Sequence, residues 1–306
     1  ETIKDYFFPK TKKVRQTWLV QSNKKNFTLL RNLLNNSNLK NISLIYIEKD
    51  IKEYEEYNYD GIIIENNFIK KKELKTIREQ RGNGIAIKTL LNWSNDFLQI
   101  CPSEFILNND IFYFNNCNLV NSIQFRIKRL GDLFISCLIL LLLSPLMLFL
   151  GITILLIDGN PIFYSQIRTG LKTINIKIFK FRSMINEAEE NGPQWSNIND
   201  KRITRLGKFL RKYRLDELPQ LISVIKGDMS LIGPRPERPQ IDSKLKDKII
   251  YYELRNFIKP GISGWAQVNY PYGASIKDAK NKLNYDLYYI RNYSIILDMI
   301  ILFKTL

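Results

Sequence analysis

Two adjacent carboxylates, Asp216 and Glu217, are the side chains of this sequence best placed to do chemistry. An apolar stretch that predicts a helix follows them, with Asp216 as a suitable N-cap and Pro219 in the first turn. Arg211 and Arg214 lie just upstream. The positive helix end and the arginines lower a carboxylate's pKa, whereas the neighbouring acid raises it, so we expect a coupled titration. Such a pair can serve as nucleophile or metal ligand, and ordinary helix capping is the alternative.

A proline-rich segment, residues 227–239, carries Arg235 and Arg238. Its prolines exclude a regular helix and stiffen the loop. Guanidinium groups presented on a stiff loop bind phosphate oxygens through paired hydrogen bonds. The segment therefore predicts a phosphate site, although a surface turn can contain the same Pro-Arg-Pro triplet.

Two further segments could contribute to such a site. Apolar and basic residues alternate over 174–181, which predicts a half-buried strand that carries Lys180 and leads to Arg182. A solvated basic face would give the same pattern. Trp265 lies in a segment punctuated by glycine and proline, and it predicts either an aromatic platform for a base or bilayer surface, or core packing. Residues 191–193 are typical of a loop.

Composition excludes several classes of protein. The 306 residues include no histidine, which rules out His-based triads, bases and metal sites. The three cysteines form no CxxC pair, so neither a zinc ribbon nor a disulfide framework is expected, and a reducing compartment is favoured. A formal net charge of +16 suits an anionic partner. The length favours two domains.

The run 133–157 contains no charged residue and predicts a membrane-inserted helix. A helix of that length, about 37 Å, could cross the hydrocarbon layer of ~30 Å. Basic residues flank it on both sides, with Lys128 and Arg129 before it, so the flanks give a crossing no preferred orientation. We therefore predict that it bends at Ser144-Pro145 and returns to the same face, with Ser144 or water satisfying the carbonyls that the proline leaves free. A kinked spanning helix is the alternative.

Residues 1–120 alternate between short apolar runs and helical patterns. This alternation predicts βαβ units on a parallel sheet, hence a Rossmann-like regulatory or scaffolding module. No phosphate-binding fingerprint occurs in it. The predicted strands cover 17–20, 42–47, 61–64 and 85–87, and the predicted helices cover 27–34 and 70–81.

In their order, these segments resemble the bacterial sugar transferase family, the monotopic polyprenyl-phosphate phosphoglycosyl transferases. The resemblance runs from about Phe125 to Leu306. Its motifs are Lys128-Arg129, Asp132, Ser144-Pro145, residues 180–184, Asp216-Glu217 and Arg235-Pro236. The sequence departs from the family at three positions, where a glycine, an aromatic residue and a serine are frequent: Thr173, Ile176 and Arg214.

The resemblance implies an α/β architecture in two parts. A Rossmann-like parallel-sheet module over 1–120, as in the large members of the family, precedes a mainly helical catalytic domain with short strands over 121–306. That domain would be monotopic, held by a re-entrant membrane helix hairpin at about 128–158. The implied location is the cytoplasmic face of the bacterial inner membrane, against anionic lipids, and we expect the full-length protein to carry further transmembrane helices before Glu1.

The resemblance also implies a reaction, the transfer of a sugar-1-phosphate from a UDP-sugar to undecaprenyl phosphate with release of UMP. Such a step begins the assembly of exopolysaccharide, O-antigen or other glycans. By the family's pattern, Asp216 is the nucleophile of a covalent intermediate, and Glu217 positions Mg²⁺ or accepts a proton. The implied phosphate and substrate ligands are Lys180, Arg182, Arg211, Arg235 and Arg238. The implied Mg²⁺ ligands are Asp216, Glu217 and Asp286.

Other functions remain open at this point. An inactive membrane scaffold of a glycan-assembly complex would keep the same anchor, and a glycosyltransferase moving the bare sugar would release UDP instead of UMP. Nucleic-acid binding would suit the charge of +16, but no nucleic-acid motif is present. The sequence names neither the sugar nor the oligomeric state, which is compatible with a homodimer.

Overall fold

The computed structural model describes residues 15–48, 58–65, 73–114, 123–186, 188, 200–271 and 273–305. The start of the helix predicted over 70–81 and the loop predicted at 191–193 lie outside these ranges. The chain divides into two compact units, Glu1–Ile106 and Leu107–Leu306. This boundary precedes the predicted one at 120, because a short helix, Ile111–Phe114, packs with the second unit.

The first unit contains a four-stranded parallel sheet built from β1 (Gln16–Gln21), β2 (Ile42–Ile47), β3 (Gly61–Ile64) and β4 (Ala86–Thr89). The strand order is β2-β1-β3-β4. The core of this unit contains Leu19, Ile47, Ile62 and Ile64. The two central strands, β1 and β3, are largely buried on both faces, as is usual in a parallel sheet. The helices are α1 (Lys24–Asn35), α2 (Glu73–Gly82) and α3 (Leu90–Trp93). The predicted parallel α/β arrangement is confirmed.

The second unit contains a long apolar helix, α5 (Ile123–Ile157), which follows α4 (Ile111–Phe114). Among the described residues it is the one helix long and apolar enough to cross a membrane, with a mean hydropathy of 2.8 over its most apolar stretch. Only 11% of that stretch is buried inside the protein, unlike the core helix of a soluble domain. Leu141, Leu142 and Phe149 are among its exposed apolar side chains.

Helix α5 continues through Pro145. A proline inside a helix leaves the carbonyl four residues earlier without its N–H donor. That carbonyl belongs to Leu141, and the Ser144 Oγ donates to it at 2.9 Å. The Ser144 hydroxyl thus satisfies the carbonyl that Pro145 leaves free, and the predicted return of the helix to the same face stays a prediction.

The remaining elements build a mainly helical region with two small sheets. They are β5 (Phe163–Thr169), β6 (Asn175–Phe181), α6 (Arg205–Lys212), α7 (Gln220–Lys226), β7 (Ser230–Ile232), α8 (Pro239–Lys246), β8 (Gly261–Ser263), α9 (Trp265–Asn269), α10 (Ile276–Arg291) and α11 (Ile295–Thr305). Strands β5 and β6 form an antiparallel hairpin, and β7 and β8 pair in parallel. The strand predicted over 174–181 is confirmed as β6.

Thr173, which connects β5 to β6, has φ of 63°, a left-handed conformation that is rare for a β-branched residue. Trp265 is 2% exposed and stacks on Tyr288 with a centroid distance of 5.6 Å. It therefore packs in the core, and the alternative of an exposed aromatic platform is wrong.

Candidate active site

Asp216 and Glu217 lie in a short 3₁₀ helix, Leu215–Glu217, between α6 and α7. The prediction that Asp216 caps the following helix is wrong, because α7 begins only at Gln220. The Leu218 amide already donates to the Leu215 carbonyl, and Pro219 has no amide hydrogen. Neither of the two backbone amides that an N-cap at Asp216 would bind is therefore available. The tight turn leaves the Asp216 carboxylate available for another role.

The Glu217 carboxylate is held by two cations. The Lys180 Nζ lies 2.8 Å from its Oε1, and the Arg235 guanidinium also donates hydrogen bonds to both oxygens. Burial alone would raise the pKa of Glu217, but the charges of Arg235 and Lys180 outweigh burial and hold that pKa well below its usual range. Glu217 is therefore an anion that orients these two cations.

The Asp216 carboxylate differs from its neighbour. It is 6% exposed, and no residue of the described ranges donates a hydrogen bond to it. Burial raises the pKa of Asp216, the charge of Lys180 opposes the shift, and the charge of Glu217 adds to it. A desolvated carboxylate with free oxygens is a better nucleophile than one tied by hydrogen bonds, and it is also a ready metal ligand.

Both carboxylates open into a cavity of about 760 Å³. Such a volume is typical of sites for substrates of nucleotide size. Its walls bring together most of the predicted site residues, namely Lys180, Arg182, Arg211, Asp216, Glu217, Arg235, Arg238 and Asp286. The concentration of cations around a free carboxylate suits a substrate that carries several phosphate charges.

The predicted phosphate ligands occupy different positions around this cavity. Arg211 donates from Nε to the Ser183 Oγ at 2.9 Å, which turns its guanidinium toward the pocket. This contact needs the close approach of α6, where a Cβ on Gly207 would lie 2.0 Å from the Ser183 carbonyl oxygen. Arg238 precedes α8 on the irregular, proline-rich loop, as predicted.

Arg182 is engaged elsewhere. The residue is 5% exposed, and its guanidinium donates to the backbone carbonyls of Asp158, Gly159 and Asn160 and to the Asn186 side chain. These carbonyls lie directly after α5, so Arg182 binds the end of the apolar helix. Its predicted contact with phosphate stays a prediction.

Sequence reasoning missed Arg255, which lies behind the site. Its Nη2 donates to the Arg235 carbonyl at 2.7 Å and lies 3.0 Å from an Asp286 oxygen, while its Nη1 binds the Tyr252 hydroxyl at 2.5 Å. Burial raises the pKa of Asp286 to about 6, against the charge of Arg255. The signal was available, because Arg255 is a charged residue in the otherwise largely apolar and aromatic segment 249–258.

The acidic residues of the cavity differ in their availability to a magnesium ion. Within the ranges that the structure describes, no group of three or more potential metal-binding side chains occurs. Glu217 is bound by cations and one Asp286 oxygen by Arg255, whereas Asp216 has no hydrogen-bond or ion-pair partner among the described residues. Mg²⁺ is commonly held by one or two carboxylates together with substrate phosphates, and Asp216 fits that arrangement. A site formed by all three predicted ligands stays a prediction.

Two basic residues near the start of α5, Lys128 and Arg129, contact the protein. The Lys128 Nζ lies 2.8 Å from an Asp298 oxygen, with only 7% of its side chain exposed. Arg129 donates to the carbonyls of Val224 and Ile225, and Asp132 accepts from the Ser230 hydroxyl. These motif residues therefore bind the helix to the rest of the second unit.

Comparison with known proteins places the site in a family. The family model described as "Bacterial sugar transferase" matches residues 123–306, which include the long helix and the whole cavity. The chain belongs to this family.

Three relatives illustrate the range of similarity. An Aeromonas hydrophila UDP-N-acetylgalactosamine-undecaprenyl-phosphate N-acetylgalactosaminephosphotransferase is 44% identical over 59% of this chain and 43% of its own. A Klebsiella pneumoniae UDP-glucose:undecaprenyl-phosphate glucose-1-phosphate transferase is 39% identical over 61% of this chain and 40% of its own. The exopolysaccharide production protein PSS of Rhizobium leguminosarum bv. phaseoli is 38% identical over 58% and 92%. The matched part of the chain spans less than half of the first two relatives but nearly all of the third.

Proposed function

We propose that this protein transfers a sugar-1-phosphate from a UDP-sugar to a polyprenyl phosphate and releases UMP. The observation that carries the proposal is the contrast within the dyad. Asp216 is desolvated and accepts no hydrogen bond from the part of the chain that the structure describes, while Glu217 holds Lys180 and Arg235 at the same cavity. The names of the relatives, which act on undecaprenyl phosphate with UDP-sugars, support the same reaction class.

The first step is attack of an Asp216 oxygen on the β-phosphorus of the donor. A bond forms between that oxygen and phosphorus as the bond to the bridging oxygen breaks, and UMP leaves with the bridging oxygen and its electron pair. The cavity's cations offset the charge on the phosphoryl oxygens, since Lys180 and Arg235 are already oriented by Glu217. The product is an acyl phosphate, a mixed anhydride between the Asp216 carboxylate and the sugar phosphate.

In the second step, a phosphate oxygen of the lipid attacks the same phosphorus. The bond to Asp216 breaks, which restores the carboxylate and forms the lipid diphosphate sugar. The acceptor needs little proton transfer, because the second pKa of a phosphate monoester is about 6. We therefore assign Glu217 to orienting the cations instead of accepting a proton, in line with its depressed pKa.

A magnesium ion would be held by Asp216 and the substrate's phosphate oxygens. When bound, it would offset charge on the diphosphate. Asp286 could contribute only through the carboxylate oxygen that Arg255 does not bind.

The long helix brings this chemistry to a membrane. A straight helix would place Arg129 and Leu150 about 32 Å apart. Arg129 binds Val224, whereas Leu150 belongs to a cluster that includes Leu218. Leu218 and Val224 are separated by less than two helical turns, about 9 Å. These contacts support a helix that bends near Pro145 and returns to one face, which we take to be the cytoplasmic one.

A screen of UMP release over a panel of UDP-sugars, with undecaprenyl phosphate and Mg²⁺, tests the proposal. We expect release with at least one sugar, none from Asp216→Asn, and a phosphosugar on Asp216 by mass spectrometry of the trapped intermediate. Release of UDP would indicate transfer of the bare sugar. An absence of turnover with every donor would favour the membrane scaffold.

A further inference from the structure

Each end of α5 is bonded to one of the two helices that flank the dyad. Helix α6 ends just before Leu215, and α7 begins just after Pro219. The start of α5 contacts α7, and its end contacts α6. Asp216 and Glu217 therefore lie in a turn whose two neighbouring helices are both fastened to the same apolar helix.

The contact with α7 is made by Arg129. Its Nη1 donates to the Val224 carbonyl at 2.5 Å and its Nη2 to the Ile225 carbonyl at 2.7 Å. The last carbonyls of a helix form the negative end of its dipole, so a guanidinium suits them in charge. The Val224 carbonyl also accepts from the Gly227 amide, and its second lone pair remains for the guanidinium. The helix ends at Gly227, which has φ of 94°. A Cβ there would lie 3.3 Å from Arg129 Nη2.

A second residue of α5 reinforces this contact. Asp132 lies one turn after Arg129 on the same helix face. Its Oδ2 accepts from the Ser230 hydroxyl at 2.8 Å and its Oδ1 from the Leu231 amide at 3.2 Å. Arg129 and Asp132 thus bind the two sides of the turn that joins α7 to β7.

The contact with α6 is made at the other end of α5. The Asp158 Oδ2 accepts from the Thr204 hydroxyl at 2.9 Å. The same hydroxyl caps α6 by accepting from the Gly207 amide at 2.8 Å. Apolar packing continues this contact, because Leu150 and Ile154 share a buried cluster with Leu210 of α6.

We propose that Arg129 is a positioning residue of the active site, which fixes α7, and with it the Asp216–Glu217 turn, to the membrane helix. The Asp158–Thr204 pair does the same for α6. The inference rests on the proposed function, which assigns the chemistry of the dyad. It adds that the membrane helix sets the geometry of the reacting carboxylate as well as holding the protein at the bilayer.

The test compares Arg129→Met with Arg126→Met in the full chain. Arg126 is exposed and lies one turn before Arg129 on α5. Arg126→Met removes the same charge as Arg129→Met, but Arg126 forms no hydrogen bond with α7 in the described structure. Because small misplacement of a reacting group can cost up to about 10²-fold in rate, we expect Arg129→Met to lower kcat for UMP release about tenfold to a hundredfold. We expect the KM for the UDP-sugar to stay within about twofold, since Arg129 does not line the cavity.

Partial recovery of kcat in Arg129→Lys would support positioning, since an ammonium can bind one of the two carbonyls. A kcat for Arg129→Met equal to that of Arg126→Met would overturn the inference. So would a loss explained entirely by the unfolded fraction, measured by thermal unfolding in detergent.

Hydrogen exchange separates this inference from the proposed function. We expect Arg129→Met to speed amide exchange over 215–226 about tenfold, with Arg126→Met unchanged, and Thr204→Val to do so over 205–212. This readout needs no turnover, so it holds even if the wild type releases no UMP. Equal exchange in Arg129→Met and the wild type would show that Arg129 does not fix this segment.

Discussion

Asp216 and Glu217 are neighbours in the chain but have opposite electrostatic environments. Glu217 is bound by Lys180 and Arg235, and its pKa is lowered, whereas burial raises the pKa of Asp216. Two carboxylates whose environments separate their pKa values have separate roles. The same geometry makes the role of each testable.

Lys180→Met should shift the pH dependence of UMP release. Burial raises the pKa of Asp216, and Lys180 is the cation that most opposes this, so its loss raises that pKa further. Activity that needs ionised Asp216 is lost as pH falls through its pKa, so the acidic limb of the kcat profile should move to higher pH. Lys177→Met, an exposed change on the same strand, should leave the limb in place. An unmoved limb in Lys180→Met would mean that ionisation of Asp216 does not limit the rate.

Arg235→Gln should reduce kcat by about 10²–10³, because it removes a cation that stabilises charge on the transferring phosphoryl group. Arg235→Lys should recover part of the rate, since it restores the charge but not the paired hydrogen bonds to Glu217. The measurement is steady-state UMP release at saturating donor, with folding checked by thermal unfolding. Equal rates for the glutamine and lysine variants would contradict a role for the charge.

Arg182→Lys should lower the free energy of unfolding by about 1–3 kcal/mol, because a lysine cannot satisfy all three carbonyls that the buried Arg182 side chain binds after α5. The KM for the UDP-sugar should stay within about twofold. The two outcomes can be separated by thermal unfolding in detergent and by donor titration. A stable variant with a strongly raised KM would instead identify Arg182 as a phosphate ligand.

Thr173→Gly should stabilise the protein by about 0.5–1 kcal/mol. The left-handed φ of 63° strains a β-branched residue, and glycine relieves this strain at some cost in chain entropy. Thr173→Ala, which keeps a Cβ, should gain less. A melting temperature below that of the wild type would show that other contacts of Thr173 outweigh the strain.

The elements predicted from sequence are those specified by local pattern. Strands β1 to β4 are short apolar runs bounded by turn residues, and α5 is an apolar run too long for most soluble helices. The hydrogen bond from Ser144 could be predicted because the neighbouring Pro145 leaves the Leu141 carbonyl without its N–H donor. Lys180, Asp216, Glu217 and Arg235 could be placed in one site because their motifs resemble those of a family.

The rest depends on contacts between distant segments. No local pattern shows that Lys180 and Arg235 both bind Glu217 and leave Asp216 free. Arg182 is two residues from Lys180, and in the sequence it predicts the same role, but its neighbours in space are carbonyls after α5. The capping prediction for Asp216 failed because the preceding turn already used the amide of Leu218.

Lys128 forms an ion pair with Asp298, and Arg129 donates hydrogen bonds to helix carbonyls. Lipid phosphates at the bilayer surface must therefore compete with those partners for them. Attachment would then depend on hydrocarbon contact along α5, which rising ionic strength does not weaken. A wash with concentrated salt should accordingly leave the protein in the pelleted vesicles, and only a solubilising amphiphile should release it.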